Sequence, residues 1–205
     1  MHRIIVSDIF GATAALEELI SLIPGNVELV DPYDGKHMRF SNEAEAYTCF
    51  CSEGGLDTYT NKLAEKITIS DDQVSLLGFS VGASAIWRLS EKPAASRVSG
   101  ALGFYGSQIR HYSGIEPAFP MCLVFPKEEK HFDVSELIEV VEQKQYVDVL
   151  RTDFLHGFMN THSVNYHRSA YLYYLKALSR IPSSHCFLSL KEAVVSSASE
   201  NVRCR

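Results

Sequence analysis

The sequence predicts an α/β fold: a doubly wound, mostly parallel six-stranded sheet with helices on both faces. Three observations predict it. Short apolar runs alternate along the chain with stretches of helical periodicity, and strands that alternate with helices return by right-handed crossovers that leave them parallel. Six such runs can be traced, with no internal repeat. The composition, 46% hydrophobic and 21% charged with 11 Phe and 10 Tyr in 205 residues, fills one sizeable core but not two. One domain is therefore expected over residues 1–180, with 181–205 as a Ser-rich C-terminal helix or tail of the same domain.

Ile4-Ile5-Val6 is a β-branched run that ends at Ser7-Asp8. Gly11 breaks it, and Leu16, Leu19, Ile20 and Ile23 then fall at helical spacing within Thr13–Ile23, until Pro24-Gly25-Asn26 stops the helix. Val27–Val30 is the second strand, closed by Asp31-Pro32. Residues 33–72 carry loop signals and an aromatic stretch near Tyr47 and Phe50, and predict one helix through Thr60–Ile67. The alternation then resumes. Gln73–Phe79 predicts a strand, Gly82–Leu89 a helix, Val98–Tyr105 a strand, and Met121–Phe125 a strand introduced by Pro120. Leu137, Ile138 and Val141 set a helix over Ser135–Glu142, and Tyr146–Leu150 is the sixth strand. Tyr166–Leu178 is a helix whose aromatic row, Tyr166, Tyr171, Tyr173 and Tyr174, reads as packing.

Composition excludes several classes of function. No apolar run reaches the roughly 18 residues that cross a bilayer, and the N-terminal MHRIIVSDIFG does not read as a signal peptide. A net charge of −6 argues against nucleic acid as partner. The five Cys, at 49, 51, 122, 186 and 204, lack metal-type spacing, and the Cys49/Cys51 pair has no His or Cys nearby to complete a site. They read as free thiols of a cytoplasmic protein, with neither metal nor cofactor expected.

The chemistry concentrates in Gly78-Phe79-Ser80-Val81-Gly82. A strand enters it and a helix of small residues, Ala83-Ser84-Ala85, leaves it, which is the context of a nucleophile elbow. Ser80 should project above the sheet at the positive end of a helix, with the Val81 N–H beside it as an oxyanion donor. The bland reading is a Gly-rich turn with an idle Ser. A Ser nucleophile needs a base, and in this strand–Ser–helix arrangement the order along the chain is Ser, acid, His. His2, His37 and His111 lie in the wrong place, while His162 and His167 lie on or near the last helix. His156 follows the last strand, with Gly157 after it to let the loop turn. The acid should come from the loop after Phe125, which offers Glu129 first, Asp133 second and Glu128 third.

Taken together, Ser7-Asp8-Ile9-Phe10-Gly11, the segment around Ser80, His156-Gly157-Phe158 and Val30-Asp31-Pro32-Tyr33 resemble the dienelactone hydrolase family of the α/β-hydrolase superfamily, over about residues 3–180. The short segment 33–72 leaves a small cap over the site, and the resemblance implies a compact α/β-hydrolase, from which this chain departs in lacking the N-terminal hairpin that precedes the family's first parallel strand. It implies the Ile9 N–H as second oxyanion donor and Glu129 in the family's acid position. It also implies Asp8 as an acid that touches the resting nucleophile and gates it; the alternative for Asp8 is a cap of the Thr13 helix. The sequence departs from the family in using Ser where the type member has Cys, Glu129 where Asp is usual, and Pro126 where the acid loop has Gly. Asn160 stands where the type enzyme has an Arg that holds the substrate carboxylate, which speaks against a dienelactone as substrate. The expected activity is hydrolysis of a small-molecule ester or thioester by a Ser–His–acid triad. The alternative is a non-catalytic protein of the same fold that binds a ligand or partner, which the missing hairpin and the Pro126 loop favour. Composition does not reach the oligomeric state.

Overall fold

The computed structural model describes residues 1–70 and 72–190. Six strands form one sheet: β1 (His2–Val6), β2 (Val27–Val30), β3 (Val74–Phe79), β4 (Val98–Phe104), β5 (Met121–Phe125) and β6 (Val147–Arg151). Their order is β2-β1-β3-β4-β5-β6 and every pairing is parallel. The helices are α1 (Ala14–Ser21), α2 (Glu43–Ser52), α3 (Gly55–Thr68), α4 (Val81–Leu89), α5 (Val134–Val141) and α6 (Arg168–Ser179). Three short 3-10 turns, at Pro93–Arg97, Ser107–His111 and Phe187–Ser189, complete the described secondary structure.

Period-two alternation along the strands divides the interior in two. Ile4 and Val6, Leu76, and Met121, Leu123 and Phe125 face α2, α3, α4 and α5, where Phe50, Leu63, Ile67, Trp87 and Val141 meet them. Their neighbours Ile5, Leu77, Cys122 and Val124 face Leu19 of α1 and Tyr174 and Leu178 of α6 on the other side. Both faces are covered, so the strands read as continuous apolar runs.

The region between β2 and β3 holds two helices where the sequence predicts one. Tyr47 and Phe50 sit on α2, capped by Asn42, whose Oδ1 accepts from the Glu45 N–H at 2.9 Å while Glu45 Oε2 accepts from the Ser41 N–H at 2.8 Å. This is a variant of the capping box in which the Glu side chain reaches one residue past the N-cap, to Ser41. The second helix, α3, starts at Gly55 rather than Thr60 because Gly54, at φ 91°, serves as its N-cap instead of interrupting it.

The end of the described chain is more firmly held than a tail. Phe187 and Leu190 are fully buried among the α1–α6 residues. Arg3, on β1 and fully buried, donates to the carbonyls of Pro24 (2.5 Å), Pro182 (2.6 Å), His185 (2.9 Å) and Ile181 (3.2 Å). Its guanidinium lies 5.0 Å from the Phe187 ring centre. The Phe187 N–H donates to Ser75 Oγ at 2.9 Å, fixing the segment to β3 as well. The rest of the proposed tail, 191–205, lies outside the described residues.

This topology positions a site. The chain steps from β1 outward to β2 and then returns to place β3 on the other side of β1. The carboxyl ends of β1 and β3 therefore flank the point where strand order reverses, the usual crevice of an open α/β sheet. Those two ends carry Ser7-Asp8-Ile9 and Ser80.

Candidate functional site

Ser80 joins β3 to α4 at φ 53° and ψ −114°, a conformation that residues with a Cβ seldom adopt. The turn is held from both sides. The Ser80 N–H donates to the Phe104 carbonyl of β4 at 2.9 Å, and the Ser80 carbonyl accepts from the Ser84 N–H at 3.1 Å. Gly82 is required here by close approach: a Cβ there would run into the carbonyls of Val6 and Ser7, so the first turn of α4 rests on the end of β1. The Val81 N–H, at the first helical position, has no acceptor within the helix. The Ile9 N–H donates to no protein group among the described residues, while its carbonyl is pinned by Tyr33 Oη at 2.7 Å. Both residues line the cleft that Ser80 faces.

His156 stands in the loop after β6. Gly157, at φ 82°, turns the chain behind it, and Asn165 Nδ2 donates to its carbonyl at 2.9 Å. The imidazole Nε2 lies 3.0 Å from Ser80 Oγ, and Nδ1 lies 2.6 Å from Glu129 Oε1. Ser80, His156 and Glu129 thus form one hydrogen-bonded row. The Glu129 side chain retains 12% of its exposure, so this short contact is largely withdrawn from solvent. Pro126 at the head of the acid loop does not keep Glu129 from His156. The other candidate acids are placed elsewhere. Asp133 caps α5, accepting from the Ser135 N–H at 2.7 Å, and Glu128 is an exposed residue on the cleft wall.

Asp8 makes neither of the bonds expected of it. The cap of α1 is Thr13, whose Oγ1 accepts from the Leu16 N–H at 3.2 Å. The Asp8 carboxyl instead accepts from the Phe10 N–H at 2.9 Å and from Asn160 Nδ2 at 2.6 Å. Asn160 Oδ1 in turn accepts from the His162 N–H at 2.8 Å. The Asp8–Asn160 pair ties the loop that carries Ile9 to the loop that carries His156. Burial raises the Asp8 pKa above its ordinary value, against the opposing pull of the Phe10 N–H, the Asn160 amide, His156 and His162. A carboxyl raised in this way favours the fold when protonated, and that contribution is lost as pH rises from the ordinary carboxylate value through the folded one. Replacing Asn160 with Ala should raise Asp8 further, because a donor to the ionised form is gone. Carboxyl-carbon NMR titration of both proteins measures it, and an unchanged or lower value in the variant would contradict this account.

Three further residues belong to the site although sequence reasoning did not select them. Tyr105, fully buried at the end of β4 with φ 42°, sets its ring 5.0 Å from the His156 ring. Glu43, the first residue of α2, accepts from Ser163 Oγ at 2.8 Å and so draws the cap region onto the His156 loop. Arg110, in the 3-10 turn after β4, lines the cleft. The cleft holds about 700 Å³, with Ser80, Val81, Ile9, Asp8, Glu129 and His156 in its walls. Among the described residues no group of His, Cys, Asp or Glu could hold a metal ion, and no helix is long and apolar enough to cross a membrane.

No family model matches the chain. It is 31% identical over 180 residues to the uncharacterized protein YczH of Bacillus subtilis (strain 168), spanning 82% of this chain and 85% of that one. Among solved structures, it resembles a protein described as a dienelactone hydrolase from Klebsiella pneumoniae subsp. pneumoniae MGH 78578, with a TM-score of 0.63 and 12% identity over 83% of this chain and 81% of that one. It also resembles the dienelactone hydrolase-like promiscuous phosphotriesterase P91 from metagenomic libraries, with a TM-score of 0.58 and 13% identity over 87% and 83% of the two chains. A cold-adapted esterase from an Arctic intertidal metagenomic library aligns with a TM-score of 0.53 and 13% identity over 73% and 72%. Identity near one residue in eight carries the architecture alone, whereas the likeness to YczH extends to the sequence itself. The chain belongs to one family with Bacillus subtilis YczH, built on the α/β-hydrolase fold of the dienelactone hydrolase-like proteins.

Proposed function

We propose that the protein is a serine hydrolase of small carboxylic esters or thioesters. The observation that carries this reading is the row Ser80 Oγ–His156 Nε2–Glu129 Oε1, with contacts of 3.0 and 2.6 Å, at the foot of an open cleft. Ser80 attacks the acyl carbon while His156 takes its proton. Glu129 holds the imidazole in the tautomer with Nδ1 protonated and stabilises the imidazolium. The Ile9 and Val81 amides, both without a protein acceptor among the described residues, stabilise the oxyanion, each contributing on the order of 100- to 1000-fold. His156 then protonates the leaving group. Water attacks the acyl-enzyme by the same route in reverse, releasing the acid and restoring Ser80. Asp8 acts through Asn160 on loop position.

Labelling with a fluorophosphonate tests the reading. A competent row reacts at Ser80, located by mass spectrometry of the labelled peptide; no adduct at Ser80 would leave a binding protein of the same fold. Activity against p-nitrophenyl and acyl-thioester series of graded chain length then sorts the substrates.

The acid assignment has its own test. Glu129→Gln keeps the size of the side chain but favours the wrong imidazole tautomer, and should lower kcat by roughly 10³ to 10⁴. Asp133→Asn should change kcat by no more than a few-fold, since Asn caps a helix about as well as Asp. Steady-state kinetics of the two variants decide it; comparable losses would remove Glu129 from its role.

A further inference from the structure

We propose that Arg110 makes the cleft selective for substrates that carry an anionic group, a carboxylate or a phosphate, in addition to the ester. The proposal rests on the hydrolase reading of the same site. Arg110 is half-buried in the cleft wall. Its position is fixed twice: Nη1 donates to the Ser107 carbonyl at 2.6 Å, and the guanidinium lies 4.9 Å from the Phe132 ring centre. Contact with one ring and one carbonyl leaves further N–H groups available, and a guanidinium presents them as a fork that matches carboxylate or phosphate oxygens. No carboxylate within ion-pair distance of Arg110 is found among the described residues.

The surroundings point the same way. Lys130 and His131, from the acid loop, line the same cleft. Of the four acids that line it, three are already committed: Asp8 to Phe10 and Asn160, Glu43 to Ser163, and Glu129 to His156. Glu128, exposed, is the fourth. A chain of net charge −6 does not attract anions over its whole surface, so an oriented guanidinium inside the cleft, with no carboxylate partner among the described residues, marks a local preference. This is a different element from the position of Asn160, where Asp8 already fills the amide's hydrogen bond.

The test compares acetate esters of phenols that bear a para methyl, carboxymethyl or phosphonomethyl group, each rate normalised to its own hydroxide-catalysed hydrolysis. The wild-type protein should favour the two anionic esters over the methyl ester by about ten-fold or more in kcat/KM, carried by KM, as expected of charge-assisted hydrogen bonds. That ratio should shrink as salt is added. It should fall to near one in Arg110→Gln and be kept in part by Arg110→Lys. The better of the two anions identifies the group the site takes. A wild-type ratio near one, or a ratio that persists in Arg110→Gln, overturns the proposal. If none of the esters is turned over and Ser80 takes no fluorophosphonate, the hydrolase reading fails by itself. In that case calorimetric binding of the phosphonomethyl phenol still decides the anion site: binding lost in Arg110→Gln supports it, and equal or absent binding overturns it.

Discussion

Ser80→Ala should lower ester turnover on the order of a million-fold, while the variant folds and melts close to wild type. The loss follows from chemistry. In the proposed mechanism the Oγ is the atom that bonds to the acyl carbon, and among the described residues its hydrogen bond is to His156 Nε2, so no other hydroxyl stands in its place. The small effect on stability follows from geometry, because Ala keeps the same backbone and removes one oxygen at the edge of a cleft. Ser80→Gly provides a second comparison. It loses the same chemistry but accepts φ 53° without strain, so it should melt higher than Ser80→Ala, by an amount reflecting strain of order 1–3 kcal/mol less the entropy that Gly adds to the unfolded chain. Calorimetry on the two variants, with a p-nitrophenyl ester assay alongside, checks both parts. Wild-type turnover in either variant would end the mechanism as drawn, and a Gly variant that melts no higher would remove the strain.

His156→Ala should be nearly as damaging, and Ser80→Ala/His156→Ala hardly worse than either alone. The hydroxyl is scarcely ionised at neutral pH, and among the described residues the imidazole is the one base that touches it. Without the base the nucleophile is idle, and without the nucleophile the base has no proton to take, so the two losses overlap instead of multiplying. The Ile9 and Val81 amides survive in all three variants and should leave the same small residual rate. Single-turnover kinetics on the two singles and the double measure this. A double variant slower than wild type by the product of the two single losses would show that the residues act independently.

Much of this was legible in the sequence because it depends on local order. The elbow needs only strand, Gly, Ser, Gly and helix in succession, and β5 is bounded at Met121 and Phe125 by a Pro before and a Pro after. The acid loop was harder. It offers three carboxylates within six residues, and which one turns inward depends on where α5 begins, since the cap position claims Asp133 and leaves Glu129 free. α2 escaped notice because it buries only Ala46 and Phe50, too few to show a period, although Asn42 and Glu45 are a readable cap signal. The bond between Asp8 and Asn160 spans 152 positions, and no local pattern reports a contact of that range. The same holds for Arg110 and Phe132, which meet only because β4 and β5 are neighbours in the sheet.

Arg3 has a consequence for the order in which this protein can be made. Three of its four carbonyl acceptors, on Ile181, Pro182 and His185, are made about ten to forty seconds after Arg3 at ordinary rates of synthesis. Until then β1 can join the sheet only by burying a cation that lacks most of its partners, at a cost of several kcal/mol. β1 also supplies the surface on which Gly82 rests and the loop that carries Ile9, so the strand that settles late is the one the cleft is built on. A nascent chain released from the exit tunnel only as far as β6 would have Ser80, Glu129 and most of the sheet, yet no finished site. Under the proposed mechanism, Ser80 would become competent only when residues 181–185 close over Arg3, so the site stays unassembled until that segment has emerged.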